Sequence, residues 1–187
     1  MPRPYRIEGY AIVSVDGMIA DAAGVMPDSL KNDADQTMFS AGLDRADVLV
    51  HGRHSHEGQP NSPRRQRLIA TRGVATLAPD PTNARALLWN PAGASLEAAC
   101  RALGIAEGTV AVIGGTEIFG LFLGLGYEAF HLTRASKPHL PGGRPVFPGV
   151  PERTPEAVLE SRGLRPGPER VLDAAAGVTL VDWERRA

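Results

Sequence analysis

The chain has 187 residues, of which 43% are hydrophobic and 22% charged, and its formal net charge is −1 at pH 7. We therefore expect one soluble globular domain over residues 1–187, without the global field that attracts nucleic acid or an acidic membrane surface. The single Cys100 excludes an intrachain disulfide, residues 1–9 lack the apolar core of a signal peptide, and no apolar window could span a bilayer, so we expect a cytoplasmic protein.

The first half of the chain predicts strands that alternate with a helix and loops. Apolar runs bounded by turn residues predict strands at residues 10–15, 47–51, 67–71 and 86–89. A helix is predicted at residues 33–44, with Asp28 or Ser29 as its N-cap. Residues 57–65 and 78–85 are polar and contain proline, so they predict loops.

The second half predicts, in order, a helix at residues 95–103, a strand from residue 110, a helix from Thr116, a strand at 127–133, an irregular stretch at 137–155, and strands at 157–164 and 178–183. Ser95 is the predicted N-cap of the first of these helices, and Thr116 that of the second. The last two strands are expected to form an antiparallel pair.

These elements predict an α/β fold with a mostly parallel sheet, covered on both faces and closed by an antiparallel C-terminal edge. In such sheets, ligands bind beyond the carboxyl ends of the strands. Four predicted turns lie at those ends, namely Asp16-Gly17, residues 52–55, Thr71-Arg72 and residues 114–116. Because the turns share one edge of the sheet, we expect the binding site there.

The most informative stretch is residues 110–119, V-A-V-I-G-G-T-E-I-F. Its apolar run predicts a strand buried on both faces, and Gly114 and Gly115 can adopt a positive φ or approach another group closely. A strand, a glycine pair and a helix N-terminus together offer backbone N–H groups to a phosphate. A tight turn that binds no ligand is the alternative, and the glycine pair alone does not decide between the two.

Other candidate residues are cationic. Arg53 and Arg72 end two strands at the same edge and suit a phosphate monoester, although single arginines are also common on any solvated surface. His51, His54 and His56 are close enough to form part of a zinc shell, but no acidic residue completes a recognisable motif, so no metal site is expected. The dinucleotide motif G-x-G-x-x-G is absent after the first strand, so a nucleotide would bind on a different plan.

A series of motifs runs through most of the chain. In order, they are V-D-G-M-I-A (15–20), Met26-Pro27, V-L-V-H-G-R-H-S-H-E (48–57), S-P-R-R-Q-R-L-I-A-T-R (62–72), V-I-G-G-T-E-I-F (112–119), H-L-T-R-A (131–135) and G-G-R-P-V-F-P (142–148). The series resembles the dihydrofolate reductase family and its relatives, the reductase domains of bifunctional riboflavin biosynthesis enzymes. This resemblance implies a dihydrofolate reductase-like three-layer fold, NADPH as cofactor, and hydride transfer to a pterin-like or pyrimidine-like heterocycle.

The resemblance implies a set of cofactor-binding residues that comprises Ala11, Ile12, Gly17, Met18, Ile19, Gly52, Arg53, His54, Ser55, Thr71, Arg72, Ile113, Gly114, Gly115, Thr116, Glu117, Ile118 and Phe119. Within this set, residues 52–55 would meet the phosphates at a helix start. Arg53 and Arg72 would reach a 2′-phosphate, and residues 114–119 would cradle the pyrophosphate beside the nicotinamide.

The resemblance also implies a catalytic carboxylate that raises the proton affinity of the substrate ring and is held by Thr133. Counting forward from Met26-Pro27 selects Asp33, whereas counting back from Phe39 selects Asp35, because the segment between them carries an insertion. Both aspartates therefore remain candidates, and Asp33 is slightly favoured because its spacing crosses no assumed insertion.

Three residues are implied on the substrate side. Phe39 matches an aromatic that packs on the substrate, Arg65 aligns with the arginine that takes the folate tail, and Asp28 stands where the folate enzymes carry tryptophan. This replacement leaves two alternatives open: a riboflavin-pathway reductase acting on 5-amino-6-(5-phosphoribosylamino)uracil, and a nucleotide-binding protein without turnover. The expected partners are a small-molecule substrate and, as an option, a second copy of the chain in a homodimer; neither nucleic acid nor a membrane is expected.

Overall fold

The computed structural model describes residues 3–55 and 57–186. Within these residues the strands are β1 (Tyr5–Val13), β2 (Met18–Ala20), β3 (Val48–Gly52), β4 (Arg67–Ala70), β5 (Leu77–Pro79), β6 (Ala86–Trp89), β7 (Gly108–Val112), β8 (Ala129–Ala135), β9 (Arg144–Pro145), β10 (Leu164–Asp173) and β11 (Val178–Arg185). The helices are α1 (Asp33–Arg45), α2 (Leu96–Ala102), α3 (Thr116–Leu125) and α4 (Pro155–Ser161), with short 3-10 helices at Asp28–Leu30 and Ser62–Arg64.

Among the described residues, a nine-stranded sheet forms the centre of the fold, in the order β10-β11-β8-β1-β7-β3-β4-β6-β5. The neighbours from β8 to β6 are parallel, whereas β11 pairs antiparallel with β8 and β10 pairs antiparallel with β11. The predicted parallel sheet with an antiparallel C-terminal edge is confirmed. The opposite edge is antiparallel as well, because β5, which overlaps the loop predicted at 78–85, pairs with β6. The strands β2 and β9 form a separate two-stranded sheet.

Helices cover both faces of the large sheet, as the alternation of side chains along β3 shows. Val48 and Val50 belong to the core that includes side chains of α2, α3 and α4, whereas Leu49 between them packs with Leu43 of α1. All four side chains are fully buried. The fold therefore has three layers, with α1 on one face. None of the helices in the described part of the chain is long and apolar enough to cross a membrane.

The start of α1 differs from the prediction. Its N-cap is Asn32, whose Oδ1 accepts the backbone N–H groups of Ala34 and Asp35 at 3.0 and 3.1 Å. Asp28 and Ser29, the predicted caps, lie in the preceding 3-10 helix. An asparagine at this position satisfies first-turn donors that the helix itself cannot pair, so the helix begins at the next residue.

The C-terminal region also differs from the prediction. Most of the stretch predicted as a strand at 157–164 forms α4, because the Thr154 side chain accepts the N–H of Ala157 at 3.1 Å and Pro155 occupies the first helical turn. In place of the predicted strand, β10 pairs antiparallel with β11 on the side away from β8. The strand β10 contains Pro166, which a sheet edge tolerates because one side of the strand needs no N–H donor.

Candidate active site

A cleft of about 530 Å³ opens at the carboxyl ends of β1 and β7, between α1 and the loop that follows β3. The residues predicted to bind cofactor or substrate that line this cleft are Ala11, Ile12, Ile19, Asp33, Asp35, Phe39, His54, Ser55, Ile113 and Phe119. The cleft lies where parallel α/β sheets place their ligands. The cleft therefore lies at the edge of the sheet where the sequence predicted a binding site.

A backbone cradle borders the cleft where β3 and β7 end. The N–H of Gly52 donates to the carbonyl of Gly114 at 2.8 Å, and the N–H of Ser55 donates to the carbonyl of Gly52 at 3.1 Å. Gly114 has a φ of +109°, and the peptide bond between Gly114 and Gly115 is cis. A Cβ atom on Gly115 would lie 3.0 Å from the hydroxyl oxygen of Ser55. A side chain at Gly115 would therefore crowd the Ser55 hydroxyl beside this cradle.

The cradle ends at the N-terminus of α3. Its N-cap is Gly115, and no side chain in the described residues caps the helix. Thr116, the predicted cap, is the first helical residue, and its hydroxyl instead donates to the carbonyl of Pro145. The first N–H groups of this helix lack a side-chain cap. They lie at the helix N-terminus, where the helix dipole places its partial positive charge. This arrangement suits an anion such as a phosphate.

Asp35 supplies a buried carboxyl to the cleft. It is 5% exposed, and the neighbouring Thr133 of β8 is fully buried. Burial raises the pKa of the Asp35 carboxyl, and the nearby Thr133 hydroxyl lowers it by less. Within the described residues that hydroxyl makes no hydrogen bond short enough to satisfy it. Asp35 is therefore a buried acid whose pKa is set mainly by burial, the environment in which carboxyls change their protonation with a ligand.

Helix geometry separates Asp35 from Asp33. Asn32 caps α1, so Asp33 is the first helical residue and its side chain is exposed at the rim of the cleft. Two residues later the helix has turned by about 200°, which directs Asp35 towards the sheet. Counting along the sequence slightly favoured Asp33, which is a surface carboxylate in the structure, whereas Asp35 is a buried carboxyl.

Three solved structures have the same architecture. A protein from Shewanella sp. PV-4 assigned to riboflavin biosynthesis superposes with a TM-score of 0.68 at 21% identity, covering 97% of this chain and 99% of its own. The chain has the dihydrofolate reductase fold. The dihydrofolate reductase of Enterococcus faecalis, solved with NADP(H), superposes with a TM-score of 0.64 at 16% identity, covering 97% of each chain.

The third structure is larger. It is a Thermotoga maritima diaminohydroxyphosphoribosylaminopyrimidine deaminase/5-amino-6-(5-phosphoribosylamino)uracil reductase, which superposes with a TM-score of 0.64 at 16% identity. It covers 97% of this chain, but this chain covers only 56% of it. No protein-family profile matches the sequence, and no curated protein matches it significantly. The fold is therefore shown by structural similarity and not by sequence similarity.

In this chain, the connection after β3 differs from the predicted one. Residues 53–55 form a turn, and residues 57–61 lead into the 3-10 helix Ser62–Arg64 without helical structure, so no helix starts at Gly52 in the described part of this segment. The segment contains Gly58, Pro60 and Pro63, which oppose a regular helix. Any phosphate contact from this side would therefore come from turn backbone and from Ser55.

The predicted phosphate-binding arginines lie outside the cleft. Arg53 is exposed in the turn after β3. Arg72 is 89% exposed, and its guanidinium lies 3.8 Å from the carboxylate of Glu117 in the first turn of α3. Ile118 packs beside Gly52, since a Cβ on that glycine would lie 3.6 Å from its side chain. Both arginines are on the cradle side of the sheet edge, where a nucleotide could reach them.

Three other predicted cofactor residues do not line the cleft. Met18 is buried in the core at the start of β2, and its N–H donates to the Ser14 hydroxyl at 3.0 Å. Gly17 has a φ of +82° in the turn before it. The hydroxyl of Thr71 accepts the N–H of Gly73 at 3.0 Å in a local turn. In the structure, these three residues stabilise the loops at this edge of the sheet and do not face the cleft.

The predicted substrate-side residues separate into one inside the cleft and two outside it. Phe39 lines the cleft, with its ring 6.2 Å from that of Tyr10 in an edge-on arrangement. Asp28 does not: its side chain is 96% exposed and pairs with Lys31 at 2.8 Å. Because a short 3-10 helix directs Asp28 to solvent, the cleft receives the stem of Lys31 instead.

Arg65 is the second predicted substrate residue outside the cleft. Its guanidinium is 5% exposed and contacts Asp44 of α1 at 2.6 Å and Glu57 at 3.0 Å. Glu57 lines the cleft and also contacts Arg67 at 3.0 Å. The structure therefore corrects the expectation that Arg65 faces the substrate. Its charge is already neutralised by residues of the same chain.

His51 belongs to this buried group as well. Its Nδ1 lies 2.8 Å from the carbonyl oxygen of Gly52, and its Nε2 lies 3.3 Å from Nη1 of Arg67. An arginine only donates, so Nε2 accepts and the proton is on Nδ1. His54 is exposed at the cleft, and His56 lies outside the described residues. No group of three metal-ligating side chains occurs among the described residues.

Several residues of the cleft were not predicted. They include Tyr10, Lys31, Gln36, Glu57 and Gln59. Tyr10 could have been found, because it alternates with Ile12 on the same face of β1. The side chain of Gln59 donates to that of Gln36, which joins the loop after β3 to α1. No sequence pattern signals that contact, since it depends on how the loop packs.

Proposed function

We propose that this protein is an NADPH-dependent reductase that delivers a hydride to a pterin-like or pyrimidine-like heterocycle. The observation that carries the proposal is the pairing of two features in one cleft: a backbone cradle suited to phosphates and a buried carboxyl, Asp35, suited to a nitrogen heterocycle. The fold agrees with this function, and two of the similar structures are named as reductases.

The residues present fit the cofactor. The uncapped start of α3 would bind the pyrophosphate through backbone N–H groups of its first turn, and Gly115 would leave room for the ligand there. The N–H of Gly52 is not available for this, because it is donated to the carbonyl of Gly114. Ala11 and Ile19 line the cleft beside the cradle and offer apolar surface to the nicotinamide ring. When bound, NADPH would supply the hydride.

Asp35 would orient and activate the substrate. A carboxyl in a dry cleft accepts hydrogen bonds from the N–H edge of an amino-substituted pyrimidine ring, whether that ring stands alone or is part of a pterin. Its negative charge favours the protonated, more electrophilic form of the ring. Its raised pKa means that the Oδ atoms can also hold a proton nearer to neutral pH than an exposed aspartate can.

The remaining walls would position the ring and exclude water. Ile12, Phe39 and Ile113 line the cleft around Asp35. Phe39 offers a flat apolar face for stacking on a heterocycle. With water excluded, the Asp35 carboxylate acts on the substrate through a low dielectric, which strengthens the interaction.

A riboflavin-pathway pyrimidine is the second candidate substrate. Two of the three similar structures carry names from riboflavin biosynthesis, and one of those names includes 5-amino-6-(5-phosphoribosylamino)uracil reductase. A pyrimidine presents the same N–H edge to Asp35 as a pterin does. The two substrates differ in what is attached to the ring.

The function is tested by following the absorbance of NADPH with a dihydropterin, dihydrofolate and 5-amino-6-(5-phosphoribosylamino)uracil in turn. We expect oxidation of the cofactor with at least one of them, and its loss in Asp35→Asn. Tight NADPH binding without oxidation in any arm would support the nucleotide-binding alternative. Absence of nucleotide binding would reject the proposal.

A further inference from the structure

A buried ion cluster forms part of the cleft wall. The carboxylate of Glu57 lies 3.0 Å from Arg65 and 3.0 Å from Arg67, and its side chain is 3% exposed. Both guanidinium side chains are 5% exposed. Asp44 adds a second carboxylate at 2.6 Å from Arg65. The cluster thus pairs two cations with two anions directly behind the cleft.

The pairing keeps Glu57 ionised. Burial raises the pKa of this carboxyl, but the N–H of Gln59, the Ser62 hydroxyl and the two arginines lower it by more, so the net direction is down. With both carboxylates charged, the arginines have no net positive charge left for a ligand. The two arginines and the two carboxylates therefore present no net charge to the cleft.

The arginines keep unused hydrogen-bond donors. In the described part of the chain, the buried Nε atoms of both Arg65 and Arg67 have no hydrogen-bond partner, and the Nη1 of Arg65 contacts Glu57 without hydrogen-bond geometry. A guanidinium offers five donors, and carboxylates are the groups that pair with two of them at once. Two adjacent buried guanidiniums with spare donors form a carboxylate site, and in this protein Glu57 fills it.

A purely structural cluster is the alternative. The contacts of Arg67 with Glu57 and with the Ser62 carbonyl at 3.0 Å also attach the loop after β3 to the sheet. That function alone does not require the carboxylate to line the cleft. Glu57 does line it, whereas the second carboxylate, Asp44, does not.

We propose that Glu57 is a specificity-determining residue whose carboxylate occupies an anion site made by Arg65 and Arg67. The cleft therefore takes a heterocycle that carries no carboxylate on this side, and discriminates against ligands that do. The proposal rests on the reductase function in that it describes the substrate of the same cleft. It can be tested by binding alone.

The first experiment uses acetate as the probe. In Glu57→Ala the two arginines lose their central partner, and a cavity of carboxylate size opens towards the cleft. We expect sodium acetate to raise the melting temperature of Glu57→Ala above its value in sodium chloride of equal ionic strength. Parent protein and Glu57→Gln, in which the side chain still fills the site, should show no difference between the two salts. An equal response of all three proteins would overturn the proposal.

The second experiment uses two diaminopteridines of the same size, one ending in glutamate and the other in the corresponding neutral diamide. Calorimetry should show that the parent binds the diamide at least about tenfold more tightly, which corresponds to about 1.4 kcal/mol. Glu57→Ala should remove or reverse that preference. Parent protein that prefers the glutamate compound would overturn the proposal.

Glu57→Gln covers the case in which the alanine variant does not fold. It removes the charge at nearly constant volume, so the preference for the diamide should fall by at least about threefold. An unchanged preference would overturn the proposal. If neither compound binds the parent, the acetate experiment still decides about Glu57. A failure of NADPH oxidation with an intact acetate response would reject the reductase function and leave the anion site in place.

Discussion

The two sides of the cleft bury a carboxyl each, in opposite surroundings. Asp35 is 5% exposed, and burial raises its pKa by more than the neighbouring Thr133 hydroxyl lowers it. Glu57 is 8% exposed as a whole residue. Burial raises the pKa of its carboxyl, but the Gln59 N–H, the Ser62 hydroxyl and two arginines lower it by more. Depth of burial is therefore a poor guide to the state of a carboxyl, because the partners decide the direction. The unpaired side is suited to a ligand, and the paired side stabilises the fold.

The largest effect should come from breaking the paired side. Arg67→Met keeps much of the side-chain volume but leaves Glu57 buried beside a single arginine. Removing one partner of a buried ion pair typically costs about 3–5 kcal/mol, and we expect a fall of that size in the free energy of unfolding measured in urea. Arg72→Met, which removes an exposed arginine, should change it by less than about 0.5 kcal/mol. A similar small change in Arg67→Met would show that the cluster contributes little.

The unpaired side should show its effect in turnover. Asp35→Asn removes the charge and keeps the size, so turnover should fall by at least about two orders of magnitude, roughly 2.7 kcal/mol in the barrier, while NADPH affinity stays near that of the parent. Asp33→Asn is the matched control on the same helix and should change turnover little, because Asp33 is exposed. The loss in Asp35→Asn should be smaller at low pH, where the substrate is protonated without help. The reverse ranking of the two variants would return the catalytic role to Asp33.

The backbone cradle at Gly52, Gly114 and Gly115 provides a third test, independent of either carboxyl. Gly115→Val introduces a branched side chain whose Cβ would lie 3.0 Å from the Ser55 hydroxyl, and it obstructs the open start of α3. We expect NADPH affinity to fall by at least about tenfold, or 1.4 kcal/mol. Gly124→Val, on the same helix with open space around the glycine, should bind normally. Normal binding by Gly115→Val would leave the glycine pair as a turn without a ligand.

A smaller effect is expected from the exposed arginine of the cradle side. If Arg53 contacts a 2′-phosphate, Arg53→Ala should reduce the preference for NADPH over NADH about two- to fivefold, since exposed charge pairs contribute up to about 1 kcal/mol. The reduction should shrink in high salt. Arg85→Ala, another exposed arginine, serves as the control. An unaltered ratio of the two dissociation constants in Arg53→Ala would remove this residue from the cofactor site.

The smallest effect concerns stability against pH. The pKa of Asp35 is higher in the folded than in the unfolded protein, so the folded state binds this proton more tightly and loses stability as pH rises through the folded pKa. Asp35→Asn does not titrate there. We therefore expect it to be more stable than the parent at pH 7 and to lose that advantage below about pH 4, near the unfolded value of an aspartate. Thermal melts at the two pH values would show it, and a variant that is less stable at pH 7 would contradict the electrostatic account of this side.

Sequence alone predicted the parts of the molecule that depend on local chemistry. The buried run before Gly114 forms β7, the glycine pair forms the turn between β7 and α3, and Ser95 caps α2 as expected. The strand follows from its run of apolar side chains, and the turn from the backbone freedom of glycine. The cap follows from a serine oxygen that accepts the backbone N–H three residues later. The cap of Thr154 on α4 is equally local. The strand predicted at 157–164 was wrong because this cap and the proline in the first turn favour a helix despite the apolar residues.

Tertiary structure decided which of the predicted side chains face the cleft. Counting along the chain left both Asp33 and Asp35 as candidates and slightly favoured Asp33. Only the position of the Asn32 cap turned Asp35 towards the sheet and Asp33 towards water. The partners of Arg65 lie on α1 and on the loop after β3, so no spacing could show that its charge is already neutralised. Backbone conformation is decided by neighbours within a few residues, whereas the charge state of a buried group depends on whichever segments pack around it.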